Sequence, residues 1–139
     1  MAQEDSRDTE KHGEDVIYAR LQATAAVTNL VSTRCYPIRR PADASLPLVV
    51  YERISEVNPP AMVSDPGVVI SRFRFSCQAD TPENSRNLAA AVKASIGYYS
   101  ATTTTPAVDG CWPQSSFESF DMASDVFTCQ KDFSIAYRE

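Results

Sequence analysis

The sequence predicts a single α+β domain: a mainly antiparallel sheet with two helices packed on it, in the order α-β-β-α-β-β. Three observations predict it. The stretch "VVISRFRFSCQA" at 68–79 alternates apolar and polar residues with the period of two of a half-buried strand. "DTPENSRNLAAAVKASIG" at 80–97 carries the start and stop signals of a helix around an i, i+4 apolar stripe. Two further alternating runs, near 111–120 and 125–138, close the chain, and strands joined by short connections are ordinarily antiparallel neighbours.

Taken in order, residues 1–13 are polar, charged and without period, which predicts a flexible acidic arm ahead of a domain at 14–139. From Glu14 to Val31 the apolar residues Val16, Ile17, Leu21, Val27, Leu30 and Val31 fall on about half of a helical circumference, so one core-facing helix is expected. Glu14 and Asp15 stand in its first turn, where the helix dipole favours negative charge. Arg20 and Gln22 are expected to point largely outward.

"RCYPIRRPADASLP" at 34–47 follows, and Pro37, Pro41 and Pro47 each remove a backbone donor, so the segment reads as a shaped loop. Pro47 stands where a strand starts, and Leu48 to Ser55 supply that strand. "VNPPAMVSDPG" at 57–67 is too long and Pro-rich for a tight hairpin and predicts a projecting loop. In the next strand Phe73, Phe75, Cys77 and Ala79 share one face, and Arg72, Arg74, Ser76 and Gln78 the other.

The second helix is expected to have Thr81 as N-cap, Pro82 at its first position, Leu88, Val92 and Ile96 on its buried stripe and Gly97 at its end. "YYSATTTTPAVDG" reads as loop. In the last strand Phe127, Cys129, Phe133, Ile135 and Tyr137 share a face that Lys131 interrupts.

Bulk properties bound the function. At 139 residues, with 43% apolar and 22% charged residues, the chain is an ordinary globular domain able to bury a core without metals or staples. No apolar run approaches the roughly 18 residues of a spanning helix, and the N-terminal stretch has no signal-peptide pattern, so neither a membrane protein nor export is expected. A net charge of -5 argues against specific nucleic-acid binding, which neutralises phosphates with Lys and Arg. The cysteines, Cys35, Cys77, Cys111 and Cys129, are too widely spaced for a metal knuckle or redox motif, and free thiols are the simpler expectation.

Catalysis needs convergent groups with tuned protonation. The chain offers one histidine, His12, inside the polar arm, and no Ser/His/Asp order, metal motif or phosphate loop. Carboxylates four apart on a strand, Glu52 with Glu56 or Asp121 with Asp125, stand about 13 Å apart and do not cooperate. No catalytic, cofactor-binding or metal-binding residue is therefore expected. The only local basic concentration is Arg39 and Arg40 in the loop with Arg72 and Arg74 on the outward strand face. These arginines either meet nearby acids or form a subunit or partner interface, where arginine is enriched.

"RCYPIRRPADASLPLVVYERIS", "RFRFSCQADTPENSRNLAAAVKASI" and the terminal "DFSIAYRE" together resemble the tail terminator or tail completion proteins of tailed phages, which join tail to head. The shared elements are Arg34, Tyr36 and Pro37; Leu46 and Pro47; Tyr51, Ile54 and Ser55; Thr81; and Leu88, Ala89, Ala91 and Val92. Departures are the acidic arm, the Thr-rich "ATTTTPAVDG" and Cys77.

The resemblance implies a non-enzymatic structural protein of the virion, placed in the neck region of a long, non-contractile tail after assembly in the host cytoplasm. It implies a homo-oligomeric ring, usually hexameric, that caps the head-proximal end of the tail tube and ends its polymerisation. The implied partners are the tail tube protein and a head-tail connector or head completion protein, with DNA passing the lumen without specific binding. On that basis the expected interface residues are Arg39, Arg40, Arg72, Arg74, Pro59, Pro60 and Met62. Two other readings stay open: a head-completion or connector ring protein, and a small-ligand binding module closed by the loops at 57–67 and 97–113.

Overall fold

The computed structural model describes residues 13–57, 68–100 and 107–138. Within them the helices are Gly13–Ala23 (α1), Ala25–Val31 (α2) and Pro82–Ile96 (α3), and the strands are Cys35–Pro37 (β1), Leu48–Val57 (β2), Val68–Ala79 (β3), Val108–Asp121 (β4) and Val126–Arg138 (β5). The strands form one sheet in the order β1-β2-β3-β5-β4, antiparallel except for the parallel β1–β2 pair. This is the α+β class and mainly antiparallel sheet that the alternation predicts. The predicted arm, with His12, the loop residues Pro59, Pro60 and Met62, and the threonine run 102–105 lie outside the described residues.

The expected single N-terminal helix is two. Thr24 takes extended backbone angles between α1 and α2, and its hydroxyl donates back to the Arg20 carbonyl (2.9 Å) while sharing a 2.6 Å hydrogen bond with the Ser95 hydroxyl of α3. A threonine that satisfies its hydroxyl on nearby backbone competes with the helix ladder. The break re-aims α2, so that Val16, Ile17, Leu21, Val27 and Val31 are buried but Leu30 faces solvent. Arg20 does not point outward as expected: its Nε donates to the Ser95 carbonyl (2.8 Å) and its guanidinium lies 4.4 Å from the Tyr99 ring centre. Gln22 likewise turns in part toward Cys35.

The Pro-rich segment is a joint with a small strand inside it. β1 lies at the sheet edge, where Pro37 withholds no ladder bond from a second neighbour. Arg34 ties the ends of the joint together: its Nε donates to the Pro47 carbonyl (2.9 Å), and its own carbonyl accepts from the Val49 N–H (3.0 Å). The Leu46–Pro47 peptide is cis. Two motifs twelve residues apart in sequence are thus one device that sets where β2 begins.

Between β2 and β5 the helix-facing rows carry the core. Val49, Tyr51, Phe73, Phe75, Cys77, Phe133 and Ile135 are buried against Leu21, Leu88, Val92 and Ile96. The Phe75 and Phe133 rings meet edge to face, 5.5 Å between centres.

α3 begins and ends where its signals predict. Thr81 Oγ1 accepts from the Asn84 N–H (3.1 Å), with Pro82 at the first turn. Replacing Thr81 by Ala removes that cap and should lower stability by about 1 kcal/mol in a urea titration, whereas Thr81→Ser should be nearly neutral. At Gly97 a Cβ would stand 2.6 Å from the Lys93 carbonyl oxygen, so the stop position needs glycine for lack of room.

Candidate functional site

The helices cover one face of the sheet, and the opposite face carries the predicted arginines. Arg72 and Arg74 project from β3 toward β5, where the ladder sets Arg74 opposite Asp132. Arg74 Nε and Nη2 donate to the two carboxylate oxygens of Asp132 (3.0 and 3.2 Å), Arg72 Nη2 donates to Oδ2 (3.1 Å), and the Ser115 hydroxyl of β4 donates to the same oxygen (3.2 Å). The Asp132 side chain is fully buried, whereas those of Arg72 and Arg74 are 41% and 31% exposed. Burial pushes the Asp132 carboxyl up, but the Arg74 hydrogen bonds and charge, with Ser115 and Arg72, outweigh it and hold the group below the usual carboxylate range. The two arginines therefore meet an acid within the chain, sharing one carboxylate and leaving one net positive charge on the cluster, the first of the two readings that the sequence leaves open.

Aromatic side chains flank this cluster on β4. Phe117 is 43% exposed with the Arg74 guanidinium 5.1 Å from its ring centre, and Trp112 is 37% exposed. Arg, Trp and Phe set around a satisfied buried charge are the composition of an interface centre. Beyond them β4 runs for 14 residues, and among the described residues no strand pairs with its outer edge. The opposite edge, β1, is only three residues long.

Arg39 and Arg40 do not join Arg72 and Arg74. They lie on the joint before β2, Arg39 exposed and Arg40 half-buried. Asp121, at the far end of β4, is held below the ordinary range first by the Ser124 hydroxyl and the Ala123 N–H, with a smaller contribution from the Arg40 charge. The joint thus brings Arg40 toward the β4 end of the domain.

A second polar cluster sits at the helix-facing side of β2. A bulge after Arg53 shifts the register, so that Arg53 and Glu56 pair on one face (2.6 Å). Arg53 also donates to Glu14 of α1 (2.9 Å) and to the Tyr137 hydroxyl (2.8 Å), which donates on to Glu56 (3.3 Å). Burial pushes the Tyr137 phenol up, so it stays a donor. This cluster fastens α1 and β5 to β2, with Glu56 held by Arg53; Glu52 lies on the other face, near Arg74.

The four cysteines are not activated as nucleophiles. Burial pushes the Cys35 thiol up to about 11 and that of Cys111 up to about 12, and it raises Cys77 and Cys129 as well. All four cysteines are free and buried, and buried thiols of raised pKa are unreactive. Among the described residues no group of His, Cys, Asp and Glu is placed to hold a metal ion, and no helix is long and apolar enough to cross a membrane.

Sequence reasoning named the arginines and missed their partner. The signal was available: Asp132 has the opposite parity to Phe133 and Ile135 in the last strand, so it must stand on the arginine face.

No curated protein matches the chain. A solved structure described as the virion of a native gene transfer agent (GTA) particle contains a chain of similar fold, with a TM-score of 0.68 and 18% identity over 88% of this chain and 92% of that chain. The family model described as tail completion protein gp17 matches residues 15–138, which takes in all five strands and nearly all of the helices. The chain belongs to the tail completion protein gp17 family.

Proposed function

We propose that this tail completion protein works as a closed ring of identical copies at the head-proximal end of the tail tube, ending tube growth and offering a face to the head connector. It acts by shape and charge, without catalysis. Its place is the neck of the virion, and its neighbours are the tube protein on one side and a connector or head completion protein on the other. The observation that carries the reading is the inequality of the two sheet edges within a domain matched almost end to end by the tail completion family. A long edge that is unpaired among the described residues on one flank and a short, proline-bearing one on the other suit head-to-tail contacts, which close into rings when the rotation permits.

In this ring Arg74 and Arg72, with Trp112 and Phe117, form one contact surface, and Arg39 and Arg40 on the joint form another. The loop bearing Pro59, Pro60 and Met62 is assigned to axial docking. Reversing Arg39 and Arg40 to Glu should abolish rings in sedimentation velocity while far-UV circular dichroism stays unchanged. Rings of normal size from that variant would remove the joint from the interface. Virions lacking the gene should yield unattached heads and tails of irregular, excessive length by electron microscopy; normal tails joined to heads would overturn the whole proposal.

A further inference from the structure

Lys131 stands in the helix-facing row of β5, between the buried Cys129 and Phe133, yet is itself half-buried. β4 bulges between Pro113 and Ser115, and the Arg86–Glu118 pair links α3 to β4 farther along the strand. Between the two lies a cleft of about 260 Å³, walled by Lys93 of α3, Lys131 and Phe133 of β5, and Pro113, Ser115 and Ser116 of β4.

The cleft is electrically one-sided. Asp132 also borders it, but its carboxylate is engaged by Arg72, Arg74 and Ser115. Glu118, the nearest acid along β4, is bound by both Nε and Nη2 of Arg86 (2.9 and 3.0 Å). Two ammonium groups beside an open, partly apolar recess fit a short chain carrying carboxylates.

We propose that this cleft seats the acidic segment 1–12 of the neighbouring copy in the ring. The inference rests on the ring reading above. Glu4, Asp5, Asp8 and Glu10 stand against Arg7 and Lys11 in that segment, so its charge complements the cleft. Twelve extended residues reach roughly 40 Å. The direction of departure selects the neighbour. The start of α1 lies over β2, where Glu14 bonds Arg53 and Tyr18 meets Tyr51, whereas the cleft opens beside the β4 edge, the opposite flank of the sheet. In a head-to-tail ring the first flank of one copy faces the second flank of the next.

The test uses the full chain, prepared once at natural isotope abundance and once fully 15N-labelled, mixed and assembled. A water-soluble carbodiimide then joins carboxylates to lysine amines as amides, each coupling converting one carbodiimide to its urea. Peptide mass spectrometry should find Lys131 or Lys93 linked to Glu4, Asp5, Asp8 or Glu10, with light-to-heavy links as frequent as random mixing allows. The variant K93Q/K131Q should lose these links, fold normally by circular dichroism, and need about fivefold more protein for half-assembly, as two weak charge pairs predict. That difference should fade in high salt.

Rings that form without such links overturn the cleft assignment and leave the ring reading intact. Links found only within single copies overturn the neighbour assignment. Protein that sediments as a monomer at every concentration overturns the ring reading itself.

Discussion

Replacing Arg72 and Arg74 together by Met should lower the free energy of unfolding by about 3–5 kcal/mol at neutral pH, because it strands a fully buried carboxylate without its counter-charges. Asp132 would keep only the Ser115 hydroxyl as a partner. The two arginines are partly exposed, so removing Asp132 instead, with water taking over their solvation, should cost less than removing them. The pH response separates the two states of the cluster. In the native chain the Asp132 pKa is depressed, so its contribution is complete above the ordinary carboxylate value and is lost as pH falls from there through the folded value. In the double variant burial is opposed only by the Ser115 hydroxyl and raises the pKa, so the penalty is full at neutral pH and eases as pH falls toward the ordinary value. Urea titrations of both proteins from pH 7 to pH 4 should therefore converge. Curves that stay parallel would mean that Asp132 is not the group that the arginines hold.

Truncating Phe133 to Ala should cost a similar amount, about 3–5 kcal/mol, through an unrelated cause. The ring is fully buried, sits edge to face on Phe75, and lies in the row between Lys131 and Ile135 beneath α3. Its removal opens a void that backbone ladders on both sides of β5 prevent from collapsing. Against the 5–15 kcal/mol typical of a domain, that leaves little. Phe133→Leu, closer in volume, should cost under about 1.5 kcal/mol. Neither effect should vary across pH 5 to 7, where nothing next to this ring changes charge. A loss below about 1 kcal/mol for Ala, measured by urea denaturation, would mean that this part of the core is loosely packed.

Elements whose signals are local were readable in the sequence. α3 has a cap, a proline, a stripe and a stop within one run, and the structure places its ends at Pro82 and Ile96. β3 has unbroken alternation, and its odd positions are all buried. The single helix expected over 14–31 was out of reach because what divides it is tertiary: Thr24 finds Ser95, seventy-one residues away. β1 reads as loop in the sequence because three residues of strand ending in a proline have no period, and only the β2 neighbour makes them a strand. The candidate surface was half legible. Parity placed Arg72 and Arg74 on the outward face, but which acid they meet depends on β3 pairing with β5, a non-sequential pairing that periodicity does not encode. The two arginine pairs, 39–40 and 72–74, look like one basic concentration in sequence and are separated by the topology.

The outer margin of β4, bare among the described residues, has a cost of its own. Its residues include no lysine or arginine, and only Pro113 and two register shifts interrupt its offer of backbone donors and acceptors to any extended chain that drifts past. Copies made in excess, with nothing to mate with, should be prone to stack into fibrous precipitate. An annulus that shuts on itself would hide every such margin at once, making completion of the circle also the safeguard against runaway clumping.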